Sequence, residues 1–239
     1  MKALVILSGG QDSTTCLALA IQKHGARNVR AVSFDYGQRH AEELNAASRI
    51  ARMAGLITDG HHEIIDAKYL LEGTSPLVSA NAVEQYASAA VLPGGLEKTF
   101  VPMRNSLFLI LAANRAVVWS LGNNSVVEMY TGVGQEDYGG YPDCRETFIE
   151  LMERTINASL DDPTLPQIKI VTPLMHLTKA ETVRLSESIP GCREMLAWSH
   201  TCYNGEVPPC GNCHACLLRQ KGYAEAGFMD PLLERLYAP

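Results

Sequence analysis

The sequence predicts an α/β fold: a mostly parallel, doubly wound sheet, Rossmann-like in its layering. Three observations lead there. Short apolar runs alternate with helix-period stretches along the chain, the runs are closed by Gly, Asp or Pro, and the first run ends in Ser8-Gly9-Gly10 just before a helical pattern. Strands alternating with helices imply right-handed crossovers and a sheet covered on both faces. Ligands of such sheets collect beyond the carboxyl ends of the strands.

In chain order, residues 3–7 and 29–35 (VRAVSFD) read as buried strands and 13–24 as the helix between them, a βαβ unit. Residues 40–54 read as a helix with Leu44, Ala47, Ile50, Ala51 and Ala54 on one face and Arg49 and Arg52 away from it. A strand near 63–65 follows. A helix over 106–121 leads into a strand over 126–132, and a helix over 145–160 leads into a strand over 169–171. Thr178 and Glu181 have the spacing of a capping box, which starts a helix over 178–188. The stretch 73–99 lacks periodicity and carries several Gly, Pro and Ser residues; a lid over the site and plain irregular surface are both open readings. With no repeat or low-complexity tract, 1–239 reads as one domain that includes a cysteine-rich segment at 202–216.

Composition narrows the function. Apolar residues make up 46% and charged residues 19% of the 239, enough to bury a large core without cross-links. A net charge of −6 argues against a surface that grips nucleic acid, because phosphate neutralisation needs clustered Lys and Arg, and points to a small-molecule substrate. The longest strongly apolar stretch, 107–113, is far below the roughly 20 residues of a membrane span. Nothing at the start reads as a secretion signal, so a soluble, cytoplasmic protein with reduced cysteines is expected.

Two stretches carry chemistry. In LSGGQDS the glycines let the backbone approach a ligand closely, and the amides that follow open a helix, where unpaired N–H groups and the positive dipole end attract an anion. The stretch therefore reads as a phosphate cradle, although it is neither a Walker A loop nor GxGxxG; a tight turn capped by Asp12 or Ser13 is the plainer alternative. In CYNGEVPPCGNCHAC, Cys202, Cys210, Cys213 and Cys216 place four thiols in fifteen residues, a spacing that suits tetrahedral zinc and also occurs in iron–sulfur runs.

Ser8-Gly9-Gly10-Gln11-Asp12-Ser13 resembles the SGGxDS pyrophosphate-loop motif of the adenine-nucleotide α-hydrolase-like enzymes, which cleave ATP between its α and β phosphates. Within them FDYGQRH (34–40), TFVPMRN (99–105), GYPDCR (140–145) and TCYNG (201–205) resemble the 7-cyano-7-deazaguanine synthase family, over nearly the whole chain. Met103 departs from the family's glycine and Gly139 from its common serine.

The resemblance implies conversion of 7-carboxy-7-deazaguanine, ammonia and ATP to a nitrile in queuosine biosynthesis, as a carbon–nitrogen ligase. It implies a nucleotide set of Ser8, Gly9, Gly10, Gln11, Asp12, Ser13 and Thr14, with Asp12 placing Mg2+, and with Asp35 and Tyr36 near base and ribose. Lys179 and Arg104 would meet the phosphates. Asp137 and Arg145 would line the substrate pocket, Arg145 on the substrate carboxylate, although Asp143 in the same segment also reads as a helix cap and Asn105 as the cap of the helix over 106–121. Arg39 and His40 are further candidates near the nucleotide. The four cysteines would hold one structural Zn2+. A homodimer, with no nucleic-acid or membrane partner, is expected. The rival readings are a tRNA thiolase-like adenylating enzyme and a non-catalytic, zinc-stabilised binding module; Cys16, Cys144 and Cys192 read as core packing.

Overall fold

Alternation along the first strand sets the architecture. In a computed structural model of the chain, which describes all residues except 39–41, 58–59, 72–74, 80, 93–95, 97, 122–125, 135–140 and 239, β1 (Lys2–Ile6) carries Ala3 and Val5 to one face and Leu4 to the other. Each face acquires its own core. Ala3, Val5 and Leu7 pack with Cys16, Leu17 and Ala20 of α1 (Gln11–His24) and with Ala46, Ala47 and Ile50 of α2 (Glu42–Met53). Leu4 joins Val32 and Phe34 of β2 (Val29–Asp35), Leu109, Ala112 and Ala116 of α3 (Arg104–Ser120), and Ile149 and Ile156 of α4 (Glu146–Ser159). At roughly 1.5–3 kcal/mol for each fully buried large aliphatic, these clusters provide most of the driving force.

With β3 (His62–Asp66), β4 (Val127–Tyr130) and β5 (Ile168–Val171), the sheet has five parallel strands in the order β3-β2-β1-β4-β5. The order reverses direction between β1 and β4, so the crevice at their carboxyl ends is the place where such a sheet receives a ligand. The expected α/β class and all five strands are present.

The ends of the elements differ from the sequence reading in instructive ways. α1 starts at Gln11 rather than 13, with extended Gly10 as its N-cap; neither Asp12 nor Ser13 caps it, because both already lie in the first turn. α3 starts at Arg104 rather than 106, and its N-cap is Met103 in the left-handed region at φ 64°, so Asn105 is helical and not a cap. α4 is capped by Arg145; Asp143 sits one turn earlier in a 3-10 turn, Pro142–Cys144, and caps nothing there. α5 (Lys179–Ser188) opens on the expected capping box: Glu181 N–H donates to Thr178 Oγ1 (3.2 Å) and Thr178 N–H to Glu181 Oε2 (2.8 Å).

Beyond α5 come helices that the apolar pattern does not announce: α6 (Cys192–Leu196), α7 (His214–Ala226) and α8 (Pro231–Tyr237). The buried residues of α7 include His214, Cys216, Arg219 and Gly222, so no apolar stripe marks it. A buried fork holds this region together: Arg219 donates to both oxygens of Asp230 (2.6 and 2.8 Å) and to Ser199 Oγ (2.8 Å), tying α7 to the start of α8 and to the segment before Thr201. No described helix is long and apolar enough to cross a membrane.

Candidate functional site

After β1 the chain turns through Ser8, Gly9 and Gly10 into α1. Gly9 has φ +89°, and a Cβ there would lie 2.3 Å from Glu43 O and 2.7 Å from Ala47 N, so both conformation and contact require glycine. The Gly10 carbonyl accepts from Thr14 N–H (3.1 Å), Thr14 Oγ1 (2.7 Å) and Ser13 Oγ (3.2 Å), while Ser8 N–H donates to Ser13 Oγ (3.2 Å). Side chains thus lock the turn, and the first-turn residues of α1, whose amides have no intrahelical acceptor, line the crevice. Behind the turn, His200 N–H donates to Gly9 O (2.9 Å).

The turn forms one wall of a cavity of about 210 Å³. Ser8, Gly10, Gln11, Asp12 and Ser13 line it, together with Tyr36, Arg104, Asn105, Phe108, Thr131, Gly132, Tyr141, Cys144, Thr201 and Tyr203. Sequence segments more than a hundred residues apart meet here. Two buried polar atoms in the lining, Gln11 Nε2 and Thr201 Oγ1, lack a hydrogen-bond partner among the described residues, as expected of groups that await a polar ligand. Gly132 comes so close to α1 that a Cβ would sit 3.0 Å from Ser13 N and from the carbonyl carbon of Asp12. Sequence reading placed Gly132 only as a strand end.

Lys179 does not line the cavity itself. Its ammonium lies 2.9 and 3.0 Å from the two oxygens of Asp12, with both side chains largely buried. The chain has room for this reach because Gly222 of α7 faces Lys179; a Cβ there would be 2.4 Å from Lys179 Cγ.

Arg104 is half-buried beside Tyr36, Tyr203, Cys144 and Asp143. Burial works against its charge, but the fields of these neighbours outweigh it and raise the pKa, so the guanidinium stays charged. The same burial raises the pKa of Asp143, against the pull of Arg104, and together with the Asp143 field pushes the Cys144 thiol up to about 12. Asn105 Nδ2 donates to Asp143 O (3.2 Å). A flat aromatic face completes the wall: Phe34 and Phe108 stack at 4.2 Å and 6°, and Tyr36 meets Phe108 edge-on at 5.3 Å. Phe108 was not singled out from sequence, where it reads as one more apolar residue of a helix.

Other candidates lie elsewhere. Asp35 pairs with Lys68 Nζ (2.7 Å) outside the cavity lining, and Thr14 is buried behind the turn. Arg145 is exposed at the start of α4 and is not among the lining residues. Asp137, Tyr138, Gly139, Arg39 and His40 lie outside the described residues. Within 73–99, Leu77 and Thr99 form cavity wall and Thr99 Oγ1 meets Tyr141 Oη at 2.6 Å, whereas Gln85 bridges Cys213 and Tyr86 N–H donates to Asn212 O (2.9 Å). The ends of this stretch and Val83 are packed, whereas most of its described residues between 81 and 98 are exposed.

The sulfur atoms of Cys202, Cys210, Cys213 and Cys216 lie within 4.8 Å of one another, and Cys210 Sγ is 3.9 Å from Cys216 Sγ. Four thiolates at about 2.3 Å around one ion stand roughly 3.8 Å apart, whereas a disulfide closes to about 2.05 Å. The donor set fits a tetrahedral metal. Thr201, Tyr203 and Ala215, which alternate with these ligands in sequence, line the cavity, so the centre buttresses its wall.

Comparison with known proteins agrees with this geometry. The family model described as "Queuosine biosynthesis protein QueC" matches residues 2–227. A 7-cyano-7-deazaguanine synthase of Gloeobacter violaceus is 52% identical over 97% of this chain and 95% of its own. Synthases of the same name from Chromobacterium violaceum and Laribacter hongkongensis are each 48% identical, over 99% and 98% of this chain and 95% of theirs. A solved structure, the U34-tRNA thiolase NcsA from Methanococcus maripaludis with its [4Fe-4S] cluster, aligns over 96% of this chain and 73% of that one at TM-score 0.37 and 12% identity, too distant to bear on the metal. Matched along nearly its whole length, the chain belongs to the QueC family of queuosine-biosynthesis proteins, whose curated relatives are 7-cyano-7-deazaguanine synthases.

Proposed function

We propose that the chain makes 7-cyano-7-deazaguanine from 7-carboxy-7-deazaguanine, ammonia and ATP, acting as one α/β unit over 1–239. The observation that carries the reading is the convergence of the glycine turn, Asp12 with its Lys179 partner, half-buried Arg104 and the aromatic face on one cavity. A carboxylate resists ammonia because its oxygen leaves poorly. Transfer of AMP to that oxygen, with release of pyrophosphate, makes it a phosphate leaving group, and ammonia displaces it to give the amide. Removing the amide oxygen by a second adenylation gives the nitrile, so each turnover consumes two ATP.

The roles of the chain's groups follow from charge and position. Ser8, Gly9, Gly10, Gln11, Ser13 and Thr14 shape and supply the donors for the outer phosphates, and Lys179 and Arg104 offset charge on the departing pyrophosphate, a contribution of positioning and electrostatics. A Mg2+ ion held with ATP would be placed by Asp12, whose carboxylate Lys179 keeps oriented. Tyr36, with Phe34 and Phe108, offers a face for a flat heterocycle. Arg145 and Asp137 are assigned to the substrate carboxylate side, and Asp35 to the nucleoside side, on motif position alone. Zn2+ is the metal best suited to the four thiolates, and with every position taken by sulfur its role is structural. Small-molecule substrates, a homodimer and a cytoplasmic setting complete the reading, with no nucleic-acid partner.

Incubation with ATP, ammonium and 7-carboxy-7-deazaguanine labelled with 18O in its carboxylate tests it. Label recovered in AMP and a nitrile product by mass spectrometry are the expected result. Unlabelled AMP, or no nitrile, would overturn it.

A further inference from the structure

A second cavity, of about 170 Å³, opens between α2, α8 and the segment around Trp198, and none of its lining residues lines the first. Arg49 of α2 and Arg235 of α8 both face the indole of Trp198, with guanidinium carbons 3.2 and 3.9 Å from the ring centroid. Arg235 Nε donates to Ala197 O (2.6 Å), which fixes the fork. Among the described lining residues Glu42 is the single carboxylate, and its Oε2 already accepts from Asn45 Nδ2 (2.9 Å). Two guanidiniums stacked on one ring gain from its π face but repel each other, and neither forms an ion pair with a described carboxylate. Burial, and then the Arg49 charge, lower the pKa of Arg235, with Glu42 offsetting only part. Two guanidiniums that flank one indole, with unspent donors and surplus positive charge at a cavity, form an arrangement that a tetrahedral oxyanion at the ring edge completes.

We propose that this second cavity binds a phosphate-class anion, gripped by Arg49 and Arg235 and backed by Trp198. Its location ties it to the first site. His200 lines it and donates its N–H to Gly9 O, and α2, which supplies Arg49, presents Glu43 O and Ala47 N to Gly9. An anion here braces two of the supports of the glycine turn. The phosphate group can arrive as free phosphate, as pyrophosphate or on a nucleotide.

Equilibrium dialysis of the full chain with labelled phosphate, pyrophosphate and AMP tests the proposal, carried out in a Lys179→Ala background that weakens binding at the glycine turn. A Trp119→Phe change leaves Trp198 as the sole tryptophan, so its emission reports the same event. The expected result is one saturable anion per chain that alters Trp198 emission and binds about tenfold or more weakly in both Arg49→Gln and Arg235→Gln. Tighter binding of pyrophosphate or phosphate than AMP assigns the free anion, and the reverse order a nucleotide phosphate; either upholds the site. Arg49 is exposed, so Arg49→Gln retains the fold, with circular dichroism as the check. Absence of a bound anion in the Lys179→Ala protein, or binding and emission unchanged in the folded Arg49→Gln variant, would overturn it.

Discussion

Met103 is the residue at which local cost is most visible. A side chain with β-carbon stands at φ 64° immediately before Arg104, in a backbone conformation that glycine adopts freely. Met103→Gly is expected to raise stability by about 1 kcal/mol, a gain of roughly 2–4 °C in melting temperature for a domain of this size, with Arg104 left in place. A melting temperature lower than the parent's would mean that the Met103 side chain makes a compensating contact. The glycine turn, Arg104 and the four thiols were all legible in sequence, because short contiguous motifs carry them. Phe108 was not, since its role comes from Phe34 and Tyr36, residues of another element that only the fold brings beside it. Capping by Asn105 and Asp143 was misread: Asx residues near a helix start are good caps in general, but α3 begins one residue before Asn105, which lines the cavity instead, and Asp143 lies in the 3-10 turn ahead of α4.

Between elements, two contacts set how the sheet and helices hold the site. α5 and α7 cross where Gly222 faces Lys179, and an added methyl would collide with the Lys179 stem rather than its mobile end. Gly222→Ala is therefore expected to lower kcat by about tenfold or more while KM for the acid changes little, since a displaced ammonium loses transition-state stabilisation; unchanged kcat would remove Lys179 from the reaction. On the interior strand β4, Glu128 receives Lys23 Nζ (2.7 and 2.8 Å), His24 Nε2 (3.0 Å) and Tyr130 Oη (2.8 Å), which joins it to the last turn of α1. Burial opposes its ionisation, but those hydrogen bonds prevail and depress its pKa from 4.5 to about 2. A carboxylate depressed in the folded state contributes stability that is complete above the unfolded pKa and is lost as pH falls from 4.5 through about 2. Acid unfolding followed by circular dichroism should show Glu128→Gln less stable by about 2 kcal/mol at neutral pH, with the difference closing across that window. A difference independent of pH would locate the effect in packing instead. None of this network could be read from the chain beforehand, because an acid inside an apolar strand looks like a solvent-facing residue until α1 is docked.

For the whole molecule, the four-cysteine cluster stands against the cavity wall, since Thr201, Tyr203 and Ala215 of the lining adjoin its thiols in sequence. Helix α7 escaped the sequence reading because a ligand, a buried Arg219 and a close-packed glycine replace the apolar stripe that marks an ordinary helix, and α8 because seven residues are too few to show a helical period. The sheet and its ligand edge were legible because β1 and β2 are short, largely apolar runs buried on both faces, and the first of them ends in Ser8-Gly9-Gly10. Metal analysis should find one zinc per chain and no visible absorption of an iron–sulfur cluster. Strong chelation should withdraw about 10 kcal/mol or more of binding free energy from the C-terminal region, exposing it to proteolysis and abolishing turnover together. Turnover that outlasts the loss of zinc would show the wall standing without the metal.

The fit of Gly9 against α2 reaches into the evolution of the chain. With Glu43 O and Ala47 N leaving no clearance for a single methyl, the codon at this position is closed to drift whatever happens at its neighbours. A saturation library there, selected for growth that depends on the nitrile, should return glycine codons alone.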